Sequence, residues 1–367
     1  MLLLTASREA LLGPLQSVSG IVEKRHTLPI LSNVLIEKHG DDVTLLATDI
    51  EIQIRTSGLA SGGTDASFTV GARKFQDILR ALSDGTEVNL KLEANRLSLH
   101  AGKSRFALQT LPASDYPRMQ FNDAEAVSFT VSQKAFKRQL AQVAYSMAAQ
   151  DIRYYLNGLL VVAQGNELRM VATDGHRLAF ASAEIDADLP KTEVILPRKT
   201  VLELARQLAD SDEPLEIALA GNQARFRFGP IELITKLIDG KFPDYERVIP
   251  QNHPKLLILG RTMLLASLHR AAILTNEKFR GVRVVLSSGS LKIISSNAEQ
   301  EEAQEEIEVD YAGDSVDIGF NVTYLLDVLT NSATDEIELR LNDGNSSALI
   351  TLPGDERFKY VVMPMRI

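Results

Sequence analysis

The chain has 367 residues, no cysteine, and 39 Lys+Arg against 48 Asp+Glu, a formal charge of −9. That length holds two to four ordinary domains, and 45% apolar with 24% charged residues is a globular rather than a disordered balance. Without cysteine there is no disulfide, thiolate zinc site or cysteine nucleophile. The opening MLLLTASREA has no basic flank, and no run approaches the ~18–20 apolar residues of a membrane span, so a cytosolic protein without a signal peptide is expected. An acidic surplus normally counts against nucleic acid as a partner.

In chain order, Leu11, Leu15, Val18 and Val22 recur at helical spacing and predict a first helix over Ser7–Val22. Alternation at Val43-Thr44-Leu45-Leu46 predicts a strand, and Phe75, Ile78, Leu79 and Leu82 put a second helix over Ala72–Leu82. The stripe Phe136, Leu140, Val143 and Met147 predicts a third helix over Ser132–Met147. Further helices are expected over Pro197–Ala209, Gly260–Leu274 and Asn321–Asn331, with a strand at Ile337–Leu341. The coarse order is a helix, three strands, a second helix and more strands. It occurs three times.

Short strings recur at a nearly constant offset. Leu46-Ala47-Thr48-Asp49 matches Val171-Ala172-Thr173-Asp174, shifted by 125, and Ala72-Arg73-Lys74 matches Pro197-Arg198-Lys199 at the same shift. Ser32-Asn33-Val34-Leu35 and Ser114-Asp115-Tyr116-Pro117 have counterparts at Leu156-Asn157-Gly158-Leu159 and Gly240-Lys241-Phe242-Pro243. A fainter third copy holds Lys278–Val282, Leu291–Asn297 and Asn321–Asp327 in the same order. Repeats at fixed offset indicate tandem domains, here 1–122, 123–249 and 250–367. Two helices and two groups of strands in each give an α+β fold, helices on one side of antiparallel sheet.

The basic residues are unevenly placed. The six helical segments carry +8 together, which leaves −17 for the rest. Lys134, Lys137 and Arg138 lie opposite Phe136 and Leu140 at 100° per residue; Arg73 and Arg80 lie opposite Phe75 and Leu79; Lys199 and Arg206 lie opposite Val201 and Leu208. Any one such helix reads as a solvated face, but basic faces at equivalent repeat positions point to a shared basic surface. Gln150–Tyr155 and Glu23–His26 follow helices with groups that hydrogen-bond phosphates. No base-reading motif is present, so binding to nucleic acid would be to backbone and independent of sequence.

Catalytic motifs are absent. Leu97 stands where a Walker A loop ending at Gly102-Lys103-Ser104 needs its first glycine, and there is no GxSxG, HExxH or GxGxxG. Thr173-Asp174-Gly175-His176-Arg177 is the most enzyme-like string, but its counterpart Thr48-Asp49-Ile50-Glu51 has no histidine, so a strand end with a turn accounts for it better. The run Glu299–Asp310, seven carboxylates in twelve residues, reads as a solvated or partner-facing surface. No catalytic residue, metal or cofactor is expected.

Longer strings carry a family resemblance: Thr27–Leu31, Arg73-Lys74-Phe75, Asp151–Gly158, Ala172–Leu178, Asp239–Tyr245, Asn276–Val282 and Tyr360–Arg366. With them the chain resembles the bacterial DNA polymerase III beta subunits, the sliding clamps, over all three repeats. The resemblance implies a processivity factor, a head-to-tail homodimer forming a six-domain ring around duplex DNA, helices inward, with no chemistry of its own. It implies DNA contacts at Arg25, Arg73, Gln150, Tyr154 and Tyr155, to which charge adds Lys199. It also implies a groove for short peptides of polymerase subunits, the clamp loader and other proteins. The groove maps to Leu156, Thr173, Gly175, His176, Arg177, Leu178, Pro243, Arg247, Val248, Asn321, Tyr324, Val361, Met363, Pro364, Met365 and Arg366. Phe106, Ile273 and Leu274 match positions where subunits meet. The chain departs from the pattern at Asn345, where an apolar groove residue is usual, at Glu23-Lys24, and mildly at Ile367. An adaptor that binds peptides without encircling DNA, and a hydrolase centred on Asp174 and His176, are the alternative classes.

Overall fold

The computed structural model describes residues 2–23 and 28–366, so the expected contact Arg25 and the departures Lys24 and Ile367 lie outside the described residues. Six α-helices occur among the described residues: α1 Arg8–Ser19, α2 Ala72–Ala81, α3 Gln133–Val143, α4 Arg198–Gln207, α5 Arg261–Ala272 and α6 Val322–Asn331. Each falls within its predicted segment and is trimmed at the ends. The Ser7 side chain caps α1 by accepting from Ala10 N–H, and Asn321 caps α6 through Thr323 N–H. Past Val143 the chain tightens into a 3-10 turn at Ala144–Ser146, which shortens the third helix.

The strands are antiparallel. One twelve-stranded sheet runs in the order 2–7, 87–93, 96–101, 104–112, 66–71, 33–39, 42–48, 52–59, 231–236, 223–228, 214–220, 127–132. A six-stranded sheet has the order 158–173, 177–197, 355–362, 348–352, 336–341, 255–260, and a four-stranded sheet the order 302–308, 290–296, 281–287, 316–321. Where three strands were expected between the helices, the first and third repeats have four. In the second repeat two long strands, 158–173 and 177–197, fill the same span. A further short strand precedes the first helix of each repeat, at 2–7, 127–132 and 255–260.

Pairing crosses the repeats. Ile54 pairs with Leu233, and Leu178 with Val361, so one sheet takes strands from the first two repeats and another from the last two. The chain accordingly divides into two compact units, 1–134 with 206–237, and 135–205 with 238–367. The helices bury the expected stripes: Phe75 and Leu79 on α2, Phe136, Leu140 and Val143 on α3, and Val201 on α4 with Leu208 just past its end. Arg73, Lys74, Arg80, Lys134, Arg138 and Arg206 stay exposed, while Lys137 and Lys199 are half-buried. No helix among the described residues is long and apolar enough to cross a membrane.

Candidate functional site

The site grows from a turn that recurs. In Thr173–Arg177, Thr173 Oγ1 donates to Arg177 O (2.6 Å) and accepts from Gly175 N–H (3.1 Å), while Asp174 Oδ1 accepts from His176 N–H (2.9 Å) and Arg177 N–H (3.1 Å). In Thr48–Ile52 the threonine donates to Ile52 O (2.9 Å) and accepts from Ile50 N–H (3.0 Å), and Asp49 Oδ1 accepts from Glu51 and Ile52 N–H (both 2.9 Å). Both turns need a left-handed residue at the same place, Gly175 (φ 89°) and Ile50 (φ 72°). Asp174 is therefore a turn former. Its second oxygen accepts from Arg177 Nε at 3.0 Å.

Arg177 anchors this turn to the third repeat. Its guanidinium pairs with Asp327 on α6, donates to Tyr145 O (2.7 Å) and lies 4.5 Å from the Tyr324 ring centroid. Only 10% of its side chain is exposed. Three carboxylate or carbonyl acceptors and an aromatic face offset the cost of burying that charge. Burial pushes the Tyr360 phenol well up, and its hydroxyl donates to Tyr324 O at 2.9 Å.

Beside the turn lies a groove of about 300 Å³ over an apolar core that includes Leu160, Val171, Phe180 and Leu349. Of the residues expected there, Leu156, Thr173, Gly175, Arg177, Leu178, Pro243, Val248, Val361 and Met363 line it. The others sit close by in other tasks. His176 O accepts from Met363 N–H (2.9 Å), Met365 N–H donates to Gly319 O (2.8 Å), Asn321 caps α6, and Tyr324 stacks on Arg177. Arg247 is largely exposed and pairs with Asp244 at 2.8 Å. Pro364 is half-buried and Arg366 exposed in the tail. Asn345 faces solvent; Ser347 forms that edge.

Arg153, Tyr155, Tyr245 and Ser347 complete the wall. Arg153 donates to Asp151 at 2.8 Å and to Asp174 O at 3.2 Å, lying over Gly175, where a Cβ would come within 2.9 Å of it. That hydrogen bond, more than any other influence, holds the Asp151 carboxyl down at about 2. The string Asp-Ile-Arg followed later by Asp-Gly carried a signal for Arg153. Tyr245 packs on Phe180 (6.0 Å between ring centroids) and closes the string Asp239–Tyr245; nothing in the sequence marked Ser347.

The expected DNA contacts sit on several elements. Arg73 is exposed on the first turn of α2, at a cleft of about 410 Å³ that Asn33, Lys74 and Gln109 also border. Gln150 is exposed in a left-handed conformation (φ 58°), Tyr154 is 58% exposed, and Lys199 is half-buried on α4. Tyr155, expected at DNA, lies in the groove wall with Tyr154 edge-on to it at 5.8 Å. Phe106 is half-buried on 104–112, Ile273 is 77% exposed just past α5, and Leu274 is half-buried.

Comparison with known proteins bears on the whole chain. The N-terminal, central and C-terminal domain models of the DNA polymerase III beta subunit match residues 2–120, 130–244 and 246–366. The beta sliding clamp of Pseudomonas aeruginosa is 45% identical over 367 residues, and that of Escherichia coli 46% over 364, each covering 99% of both chains. A crystal structure of the P. aeruginosa clamp bound to griselimycin superposes with a TM-score of 0.96 at 44% identity over 100% of both chains. The Caulobacter crescentus clamp gives 0.94 at 37% identity, covering 100% of this chain and 99% of that one. Three repeats, helices on antiparallel sheet and full-length identity converge: the chain belongs to the DNA polymerase III beta subunit family, the bacterial sliding clamps, non-catalytic processivity factors that tether DNA polymerases.

Proposed function

We propose that the chain acts as a head-to-tail dimer, a six-domain ring threaded on duplex DNA in the cytoplasm, with domains at 1–122, 123–249 and 250–367. The observation that carries the ring is a pair of open strand edges of opposite charge. Strand 104–112 pairs along 104–109 with 96–101, but its other edge pairs only over 110–112; Lys103 and Arg105 are exposed beside the open stretch. Strand 302–308 ends its sheet and exposes Glu302, Glu306 and Glu308. An open edge is a template for another strand, and unlike charge selects the partner. Joining two different edges makes a heterologous contact, which two such joints close into a ring. Arg270 on α5 pairs with Glu305, so Ile273, three residues on, belongs beside the acidic edge, with Phe106 on the basic one.

Arg25, Arg73, Gln150, Tyr154, Tyr155 and Lys199 are read as contacts to phosphate, independent of sequence. The groove at Leu178 and Met363 is read as the seat of short segments from polymerase subunits, clamp loader and repair proteins, and of griselimycin, the ligand of the P. aeruginosa relative. Topological tethering has a direct test. Protein loaded on a nicked circular duplex should stay bound through gel filtration and be lost within minutes when one restriction cut linearises the circle. Equal retention on both forms would overturn the ring and favour an adaptor that never encircles DNA.

A further inference from the structure

The loop 342–347 joins strands 336–341 and 348–352 and sets Ser347 at the groove edge. It is folded on itself: Asp343 Oδ1 accepts from Asn345 and Ser346 N–H, both at 2.8 Å, and the Asn342 amide donates to Asp343 Oδ2 at 2.9 Å. The segment between the second and third repeats fastens it from outside. Lys255 Nζ donates to Asn342 O at 2.7 Å, and His253 Nε2 lies 2.6 Å from Ser347 O. A carbonyl only accepts, so Nε2 carries the proton and donates. The other ring nitrogen, Nδ1, is buried with no hydrogen-bond partner among the described residues.

We propose that His253 is a positioning residue of the groove: its Nε2–H fixes Ser347, and with it one wall of the groove. The proposal rests on the peptide-groove reading above. Lys255 ties the start of the loop and His253 its end, so Ser347 is held from outside the loop that carries it. Removing the ring donor leaves the Ser347 carbonyl without that bond and frees this edge of the groove.

Griselimycin binding to the intact protein, measured by calorimetry at pH 7.5, tests this. His253→Gln, whose amide still donates to Ser347 O, should match the parent. His253→Ala should bind about fivefold more weakly, the size expected for one lost hydrogen bond. Full affinity in His253→Ala, or His253→Gln as weak as His253→Ala, would overturn the proposal. Met363→Asp, on the exposed groove wall, separates the two readings. If it binds as tightly as the parent, the groove itself is misplaced. If it abolishes binding while both His253 variants behave as the parent, only the role of His253 fails.

Discussion

At residue scale, the Thr-Asp turn explains why a string resembling an acid–base pair is structural. Threonine and aspartate each satisfy two backbone partners, and the same bonds form at residues 48–52 and 173–177. The shared left-handed position is filled differently, and a β-branched side chain tolerates it poorly. Gly175→Ala should therefore cost about 1–2 kcal/mol, and its Cβ must displace the Arg153 guanidinium that lies over it. Ile50→Gly should do the reverse. Relief of about 1–2 kcal/mol of strain exceeds the ~0.5–1 kcal/mol entropy cost of a glycine, and Ile50 is 40% exposed, so little burial is lost. Urea midpoints measure both. A neutral Gly175→Ala with a destabilised Ile50→Gly would contradict the argument. The equivalence of the two turns was legible because residue types that form them were repeated. Ser347 was not, because a serine with no neighbouring pattern joins the site only through a carbonyl held by His253, ninety-four residues away in the chain.

At the scale of elements, helices were the most legible feature, since a buried stripe at 3.6-residue spacing leaves a mark in sequence. Strand pairing left none: alternation tells which side chains point inward, not which strand lies alongside. The tail shows the difference. Strand 355–362 ends at Val362, and beyond it Met363 N–H donates to His176 O and Met365 N–H to Gly319 O, so the tail is pinned to the turn before strand 177–197 and to strand 316–321. Met363 is 46% exposed on the groove wall. A chain truncated after Val362 keeps every strand and the buried Val361, so it should fold and dimerise, yet lose peptide affinity by at least about a hundredfold, as removal of an anchor does. Fluorescence anisotropy with a labelled polymerase peptide reads this out. Unchanged affinity would place the groove elsewhere, and loss of the dimer would make the tail a core element.

For the whole molecule, the expected joint of the dimer makes the sharpest demand. Ile273 is 77% exposed and Leu274 half-buried, so cutting both to alanine leaves little cavity. Ile273→Ala with Leu274→Ala should give a folded monomer in sedimentation, where ordinary core residues would give unfolding and an unchanged dimer would remove these residues from the joint. The charge pattern belongs to this scale as well: +8 on helical segments in a chain of −9 was fixed by residue order alone, because helix faces follow from spacing. By itself the sequence determined the threefold repeat, the six helices with their buried stripes and the basic faces of three of them, and the strings that carry the family. Only the tertiary structure decided that Ile54 pairs with Leu233 and Leu178 with Val361, that Arg177 is held by Asp327, and that Tyr155 shares a wall with Met363. The physical reason is range. Periodicity and turn chemistry act within a few residues and are written along the chain, whereas sheet register, buried ion pairs and grooves are set by packing between segments far apart in it.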